Sequence, residues 1–138
     1  MARRAEGGQA NARRRSRGAL ALFFIAAGSN HFVMPGAYRQ IVPPGLQREA
    51  KLIVEVSGVA EIAGGLAVLL PRARRAAGVY LIALLAAVFP ANLYMAFSNL
   101  QVHGLPSWIA QPSQLQLWLR LPLQLVLIAW AHWVSAKP

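Results

Sequence analysis

Four long apolar stretches constrain this chain more than any other feature of its sequence, and short segments with proline, glycine or arginine separate them. A helix of about 20 apolar residues crosses the roughly 30 Å hydrocarbon layer of a bilayer. Charged residues make up 13% of the chain and hydrophobic residues 57%, whereas about a quarter of a soluble domain is charged. We therefore predict an all-α fold, an integral membrane four-helix bundle. Its helices are expected at about residues 19–34, 51–70, 76–99 and 115–134.

The first 18 residues differ sharply from the rest. They hold six arginines and almost no large apolar side chains, so they cannot bury enough apolar surface to offset the entropy lost on ordering. We predict a disordered basic tail over residues 1–18 on the cytoplasmic side, close to anionic lipids. The transmembrane domain is expected over residues 19–134, followed by a short cytoplasmic tail over residues 135–138.

Basic residues are distributed unevenly between the two sides of the predicted bundle. The N-terminal tail, the turn at residues 71–75 and the C-terminus hold ten of the 14 lysines and arginines, whereas the two other loops hold Arg39, Arg48 and Lys51. Lysine and arginine favour cytoplasmic loops. Both termini and the 71–75 turn are therefore predicted to be cytoplasmic. The net charge of +10 is thereby assigned to orientation and lipid contact, and nucleic acid is excluded as a partner.

The second apolar stretch has two different faces. At about 100° per residue, Ser57, Gly58, Glu61 and two later glycines lie on one side, and large apolar residues lie on the other. A face of small residues suits close helix packing, and the apolar face suits lipid. Glu61 is therefore predicted to point into the bundle near the membrane midplane, with Glu55 nearer the outer surface at the edge of the same face.

The other three helices bring polar side chains to the same outer half of the bundle. Arg120 and Gln124 share one face of the fourth helix, Asn92 lies on the third, and Asn30 with His31 ends the first. A charged group in a membrane helix costs about 2.5–3.5 kcal/mol on insertion scales. Each one therefore needs a partner, a water-filled cavity or a function.

Two interpretations of this polar layer are open. Glu55 or Glu61 could pair with Arg120 as a purely structural lock, or the layer could line a binding pocket that opens outward. The layer holds more polar groups than mutual neutralisation requires, which favours the pocket. The candidate binding residues are Asn30, His31, Glu55, Glu61, Asn92, Arg120 and Gln124.

The segment between the first two helices, residues 35–50, is apolar for a loop. It contains Tyr38, Ile41, Pro43 and Pro44. We expect this segment to fold over the outer mouth of the bundle as an interfacial cap.

Several kinds of chemistry are excluded by composition and spacing. The chain has no cysteine, which excludes disulfides, cysteine-ligated metals and iron–sulfur clusters. Its three histidines, His31, His103 and His132, fall at different depths of the predicted bundle, so they cannot form a bis-histidine haem site. No phosphate loop, dinucleotide fingerprint or metal-spaced histidine pair is present. We predict no catalytic residue, no metal and no covalently bound cofactor.

Four strings carry a family resemblance: GSNHFVMPGAYRQIVPP, VSGVAEIAGGLAVLLPRARR, VFPANLYMA and LWLRLPLQLVLIAW. Taken in order and spacing, they make the sequence from about Gly18 to Val134 resemble the DoxX family of small bacterial membrane proteins. The resemblance implies a multi-pass protein of the bacterial cytoplasmic (inner) membrane with both ends in the cytoplasm. It also implies that the seven candidate residues occupy the family's recurrent polar positions, and it suggests a link to a quinone-linked redox system.

Three classes of function follow. The first is an accessory subunit of a membrane redox system, not an enzyme on its own, that holds a quinone between its four helices. The second is a membrane anchor or assembly module without chemistry, whose polar layer fixes helix register. The third is a small proton-coupled carrier, which would need a dimer and shows no inverted repeat. The expected partners are the lipid bilayer, a redox enzyme subunit and a second copy of the chain.

Overall fold

The computed structural model describes residues 2–98, 100–103 and 113–136, and within these ranges it contains helices and no strand. The predicted all-α class is therefore confirmed. The predicted helix end at residue 99 and the last two residues of the C-terminal tail lie outside the described residues. The elements are α1 (Ala2–Val33), α2 (Pro35–Gln40), a 3₁₀ helix (Pro44–Glu49), α3 (Ala50–Ala67), α4 (Arg74–Ser98) and α5 (Gln114–Ser135).

Local sequence explains where several helices begin. Pro35 opens α2 at the first helical position, where its missing N–H leaves no helical hydrogen bond unmade. Ser113 caps α5: its hydroxyl accepts from the backbone N–H of Gln116, and the Gln116 side chain accepts from the backbone N–H of Ser113. This reciprocal pair satisfies two donors that an α-helix otherwise leaves open at its start.

The structure corrects the predicted N-terminal tail, because α1 begins at Ala2 and not near residue 19. The segment that we predicted to be disordered is the first half of one 32-residue helix. Alanine, arginine and glutamine have high helix propensity, and extending an existing helix avoids the cost of nucleation. This half also contacts α5: Trp130 Nε1 donates to Ser16 Oγ at 2.6 Å, and the Arg13 guanidinium lies 5.5 Å from the ring centroid of Trp133.

The long helices pack chiefly as two pairs, α1 with α3 and α4 with α5. Glycines set the separation of the first pair. A Cβ placed on Gly28 would lie 2.5 Å from the carbonyl oxygen of Gly58, and one on Gly65 would lie 2.9 Å from the carbonyl oxygen of Ala21. Contact this close requires residues without side chains.

The predicted division of α3 into two faces is confirmed. Gly58, Gly64 and Gly65 are buried, whereas the exposed fractions of Leu52 and Val59 are 61% and 59%. The glycine face meets α1 and α4, and the apolar face points away from the protein.

An apolar core joins the four long helices at one end of the bundle. Its buried members are Leu20, Ala21, Phe24, Val68, Ala77, Leu81, Leu85, Ala131 and Val134. Two smaller clusters lie toward the other end. The first joins the segment after α2 to α3 through Val42, Ala50 and Val54, and the second joins α4 to α5 through Met95, Ala96 and Leu117. The space between these smaller clusters is the candidate site.

Two helices in the described part of the chain, α4 and α5, are long and apolar enough to cross a membrane, judged by length and composition. We predicted four. The helix α1 combines its apolar half with an arginine-rich half, and α3 carries Lys51, Glu55 and Glu61 within 18 residues. The number of crossings and the side on which the termini lie therefore stay predictions.

Candidate functional site

A cavity of about 590 Å³ lies between the pair α1–α3 and the pair α4–α5. This volume is within the range of small-molecule pockets, roughly 300–1,000 Å³. Its walls are largely apolar, with Phe23, Phe24, Val88 and Leu127 among the lining residues. The polar side chains on its walls are His31, Tyr38, Ser57, Glu61, Asn92, Arg120 and Gln124.

His31 stands at the centre of the α1–α3 side. Its exposed fraction is 7%, because α1 crosses α3 closely at the glycines and lays the His31 side chain over Gly58. Its Nδ1 lies 2.9 Å from the carbonyl oxygen of Val54 and 3.0 Å from Ser57 Oγ. This ring nitrogen therefore faces α3.

The other ring nitrogen of His31 faces the carboxyl group of Glu61. The distance from Nε2 to Oε1 is 3.5 Å, and 9% and 13% of the two side chains are exposed. The second oxygen of Glu61, Oε2, is buried and has no hydrogen-bond partner in the described part of the chain. Glu61 is therefore part of the cavity wall, with one oxygen facing His31 and the other buried without a hydrogen-bond partner among the described residues.

Tyr38 covers the same group from α2. Its ring lies 3.9 Å from the His31 ring, centroid to centroid, with a 33° angle between the planes. Burial raises the pKa of Tyr38 and the charge of Glu61 raises it further, while the charge of Arg120 lowers it. The hydroxyl is thus protonated at neutral pH and can donate a hydrogen bond into the cavity.

The apolar segment at residues 35–50 lines the cavity, and its predicted place over an outer mouth stays a prediction. Besides Tyr38, the segment after α2 contributes Ile41, Val42, Pro43 and Leu46 to the cavity wall. Sequence reasoning selected this segment for its apolar character and did not select Tyr38 as a site residue. The sequence did hold a signal for Tyr38. It is an aromatic residue with a hydroxyl, and it lies in an apolar loop shortly after the polar residues Asn30 and His31.

The α4–α5 side of the cavity is held by amide groups. Asn92 Nδ2 donates to Gln124 Oε1 at 2.9 Å, and Gln124 Nε2 donates to the backbone carbonyl of Leu85. Gln124 is 3% exposed, so these bonds satisfy a side chain that water does not reach. The carbonyl oxygen of Asn92 takes no part in these two bonds.

Arg120 pairs with neither acid in the described part of the chain. Its Nη1 contacts Met95 Sδ at 3.8 Å, and a thioether is a weak acceptor. The predicted lock between Arg120 and Glu55 or Glu61 is therefore not formed, because His31 is the partner of Glu61. Arg120 and Glu61 instead line the same cavity from different helix pairs.

Five of the seven predicted site residues line the cavity, and Asn30 and Glu55 do not. Asn30 is exposed and Glu55 is half-buried. Glu55 precedes Glu61 by six residues, which places it about 120° away around the helix axis. Asn30 is the residue next to His31, which places it about 100° away around the axis of α1. Within the described residues, no group of three or more histidine, aspartate or glutamate side chains could hold a metal ion.

These features define a helical bundle with a partly open cavity that is apolar with several polar side chains. The chain belongs to a family described as "Domain of unknown function (DUF8561)", whose model matches residues 20–135. The match includes every cavity-lining residue and leaves out the arginine-rich half of α1. Neither a curated protein nor a solved structure matches the chain.

Proposed function

We propose that this protein is a DoxX-like subunit of the bacterial cytoplasmic membrane that holds a quinone between its helices and serves a membrane redox system. The observation that carries the proposal is the cavity itself. It combines apolar walls with a guanidinium on α5 that no acid neutralises within the described residues, and the buried carboxyl group of Glu61 lies on its α3 side. A flat apolar ring suits the walls, and a quinone carbonyl oxygen would accept a hydrogen bond from the Arg120 guanidinium.

The surface of the bundle supports a membrane location. Large apolar side chains on α4 and α5 are open to the surroundings, with exposed fractions of 69% for Val79, 71% for Phe97 and 65% for Leu125. Exposed large apolar side chains of this kind suit contact with lipid chains. In the proposed arrangement α1, α3, α4 and α5 all cross the bilayer, and both termini and the α3–α4 turn are cytoplasmic.

The polar walls support a ligand with oxygen atoms. Arg120 offers N–H donors, and the Tyr38 hydroxyl both donates and accepts. A ligand oxygen is a better acceptor for Arg120 than the Met95 thioether is. Electron transfer to or from the ligand requires a redox centre. The chain has no cysteine and so cannot hold an iron–sulfur cluster for this purpose. The expected partner is therefore a redox enzyme subunit, beside lipid and a second copy of the chain.

Extraction of the purified protein tests the proposal. Protein solubilised in mild detergent is extracted with organic solvent, and quinones in the extract are quantified by chromatography and mass spectrometry. We expect near-stoichiometric quinone in the wild type and a loss of about tenfold in Arg120→Met, because a hydrogen bond to a charged group contributes about 1.5–3 kcal/mol.

Arg48→Met is the matched control, since Arg48 is exposed on the 3₁₀ helix and does not line the cavity. It should keep the wild-type quinone content. An extract that holds only bulk lipid contradicts the proposal, and equal quinone content in both variants contradicts the assignment of the site to this cavity.

One observation favours an assembly module as a second candidate. The bonds from Asn92 to Gln124 and from Gln124 to Leu85 join α4 to α5 without a ligand, which is how polar residues fix helix register. Bulk lipid in the extract together with a co-purifying soluble oxidoreductase would support this function. The proton-coupled carrier stays a prediction.

A further inference from the structure

We propose that the cavity opens sideways between α1 and α5, and that its ligand is a membrane-soluble molecule whose hydrocarbon tail leaves through this gap. Phe23 on α1 and Leu123 on α5 flank the gap. The inference rests on the proposed function, because it concerns how a quinone-type molecule occupies the same cavity. It narrows the ligand class to molecules with a polar ring and a long apolar tail.

Two contacts fix how α1 and α5 lie against each other. The first is the hydrogen bond of 2.6 Å from Trp130 Nε1 to Ser16 Oγ. The second is the Arg13 guanidinium at 5.5 Å from the ring centroid of Trp133. Compared with the first contact, the second lies three residues earlier in α1 and three residues later in α5. The two helices are therefore antiparallel, with Ser16 and Trp130 at the same level.

This register places Phe23 and Leu123 at one level as well. Phe23 follows Ser16 by seven residues in α1, and Leu123 precedes Trp130 by seven residues in α5. Seven residues are two helical turns, about 10 Å along the axis and about 20° around it. Both side chains therefore stand on the faces that meet at the bond between Ser16 and Trp130.

Around Leu123 the cavity wall of α5 passes into its outer surface. Leu123 lines the cavity and is 53% exposed. Leu127, four residues later, also lines the cavity, whereas Leu119, four residues earlier, does not line it and is 54% exposed. These two residues lie about 40° to either side of Leu123 around the helix axis.

The surface of α1 changes in the same way around Phe23. Phe23 lines the cavity and is 43% exposed. Ala27 lines the cavity, whereas Ala19 is exposed and does not line it, and the two lie about 40° to either side of Phe23. The cavity and the outer surface thus adjoin on both helices at one level, and this is where the gap lies.

The flanks of the gap suit a hydrocarbon tail. The side chains of Phe23, Ala27, Leu123 and Leu127 contain no polar atom. A polar group lying between them would have no hydrogen-bond partner among these side chains, which is costly, whereas a hydrocarbon chain has no hydrogen bonds to lose. Outside the gap, the tail would meet the exposed apolar surface of α5 at Leu119.

Arg120 places the polar end of the ligand inside the gap. It lines the cavity and precedes Leu123 by three residues, about 5 Å along α5 and 60° around it. Its N–H groups donate to a ligand oxygen. A cavity of about 590 Å³ holds a drug-sized molecule, so a tail of several prenyl units extends beyond it, past Leu123.

The experiment compares two ligands that share one ring, a benzoquinone without a side chain and the same benzoquinone with a long alkyl tail. The full chain in detergent is titrated with each by calorimetry. In Leu123→Trp we expect the dissociation constant of the tailed quinone to rise about tenfold or more, because the larger side chain overfills the gap. The dissociation constant of the tail-less quinone should change by less than about twofold.

Leu119→Trp is the matched control. It makes the same substitution at an equally exposed leucine one turn away that does not line the cavity. Both dissociation constants should keep their wild-type values in this variant.

A second measurement uses the wild-type protein and so does not depend on how a variant folds. The tailed quinone carries a photoreactive diazirine at the end of its tail, and labelled peptides are identified by mass spectrometry. We expect labels on α1 and α5 beside the gap. Leu46 also lines the cavity and is exposed, so labels confined to residues 41–46, or to α4, would show another exit and overturn the inference.

The outcomes separate the gap from the proposed function. If the wild type binds neither quinone, the proposed function fails and the inference fails with it. If the wild type binds both and Leu123→Trp leaves the tailed quinone unaffected, the gap is overturned and the proposed function stands. Equal weakening of both quinones in Leu123→Trp overturns the placement of the tail in the gap.

Discussion

His31 is the residue on which the α1–α3 side of the site depends. It contacts the backbone of α3, the ring of Tyr38 and the carboxyl group of Glu61. Glu61 is largely buried, and a buried carboxyl group without a partner is costly. Loss of His31 would leave Glu61 without its only ion-pair partner in the described part of the chain.

We expect His31→Ala to lower the free energy of unfolding by about 1–3 kcal/mol, the usual cost of an unsatisfied buried polar group, with a further loss of packing against Tyr38. Unfolding in detergent, followed by circular dichroism, measures the change. The neighbouring exposed Asn30 provides the control, and Asn30→Ala should change stability by less than about 0.5 kcal/mol. Equal losses in the two variants would contradict the role given to His31.

A double-mutant cycle separates the pair from other losses. If His31 and Glu61 stabilise each other, His31→Ala and Glu61→Ala should be non-additive by about 0.5–3 kcal/mol. Additive effects would show that each side chain acts through other contacts.

At the scale of elements, the crossing of α1 and α3 positions the site. A Cβ on Gly28 would meet the carbonyl oxygen of Gly58 at 2.5 Å and the Ile62 side chain at 2.9 Å. A backbone atom cannot move aside as a flexible side chain can, so the helices would have to separate. Separation of the helices would also move His31, one turn further along α1, away from Glu61.

Gly28→Ala should therefore lower the free energy of unfolding by about 1–3 kcal/mol, the usual cost of overpacking. Gly18→Ala is the matched control in the same helix, because nothing lies within 4 Å of its added Cβ. That variant should be neutral or more stable by up to about 1 kcal/mol, since alanine favours helix over glycine. Thermal unfolding of both proteins in one detergent compares them, and a destabilised Gly18→Ala would contradict the explanation.

Helix faces and helix ends were not equally predictable. The two faces of α3 follow from the 3.6-residue period of its side chains, and the structure agrees. The start of α1 was predicted wrongly, because the prediction relied on polarity, whereas helix propensity and an existing apolar helix carry α1 back to Ala2. A polar segment can be helical when it continues a helix that is stabilised elsewhere.

For the whole molecule, the proposed crossing of all four long helices makes a sharp prediction about topology. The chain has no cysteine, so a single introduced thiol can be labelled without background. Arg48 and Arg72 are both exposed, before and after α3. If α3 crosses the bilayer, the two residues lie on opposite sides of the membrane.

Arg48→Cys should react with a membrane-impermeant maleimide in intact spheroplasts. Arg72→Cys should react only after the membrane is permeabilised, because the α3–α4 turn is cytoplasmic in the proposed topology. Labelling of both positions from the same side would mean that α3 does not cross the membrane.

The sequence by itself determined the helical class, the approximate places of the apolar helices, the packing face of α3 and the apolar character of the segment that follows the first helix. These are local properties, since periodicity and composition within one segment specify them. Five site residues were predictable for the same reason, because a polar group in an apolar helix is visible wherever it lies.

Only the tertiary structure decided which of these groups meet. The close glycine crossing of α1 and α3 puts His31 beside Glu61, and the turn at α2 stacks Tyr38 on His31. Because His31 is the partner of Glu61, Arg120 lines the cavity without an acidic partner among the described residues. Rotation about the helix axes also turns Asn30 and Glu55 away from it. Helix rotation and separation depend on contacts between distant segments, and no local pattern in the sequence records them.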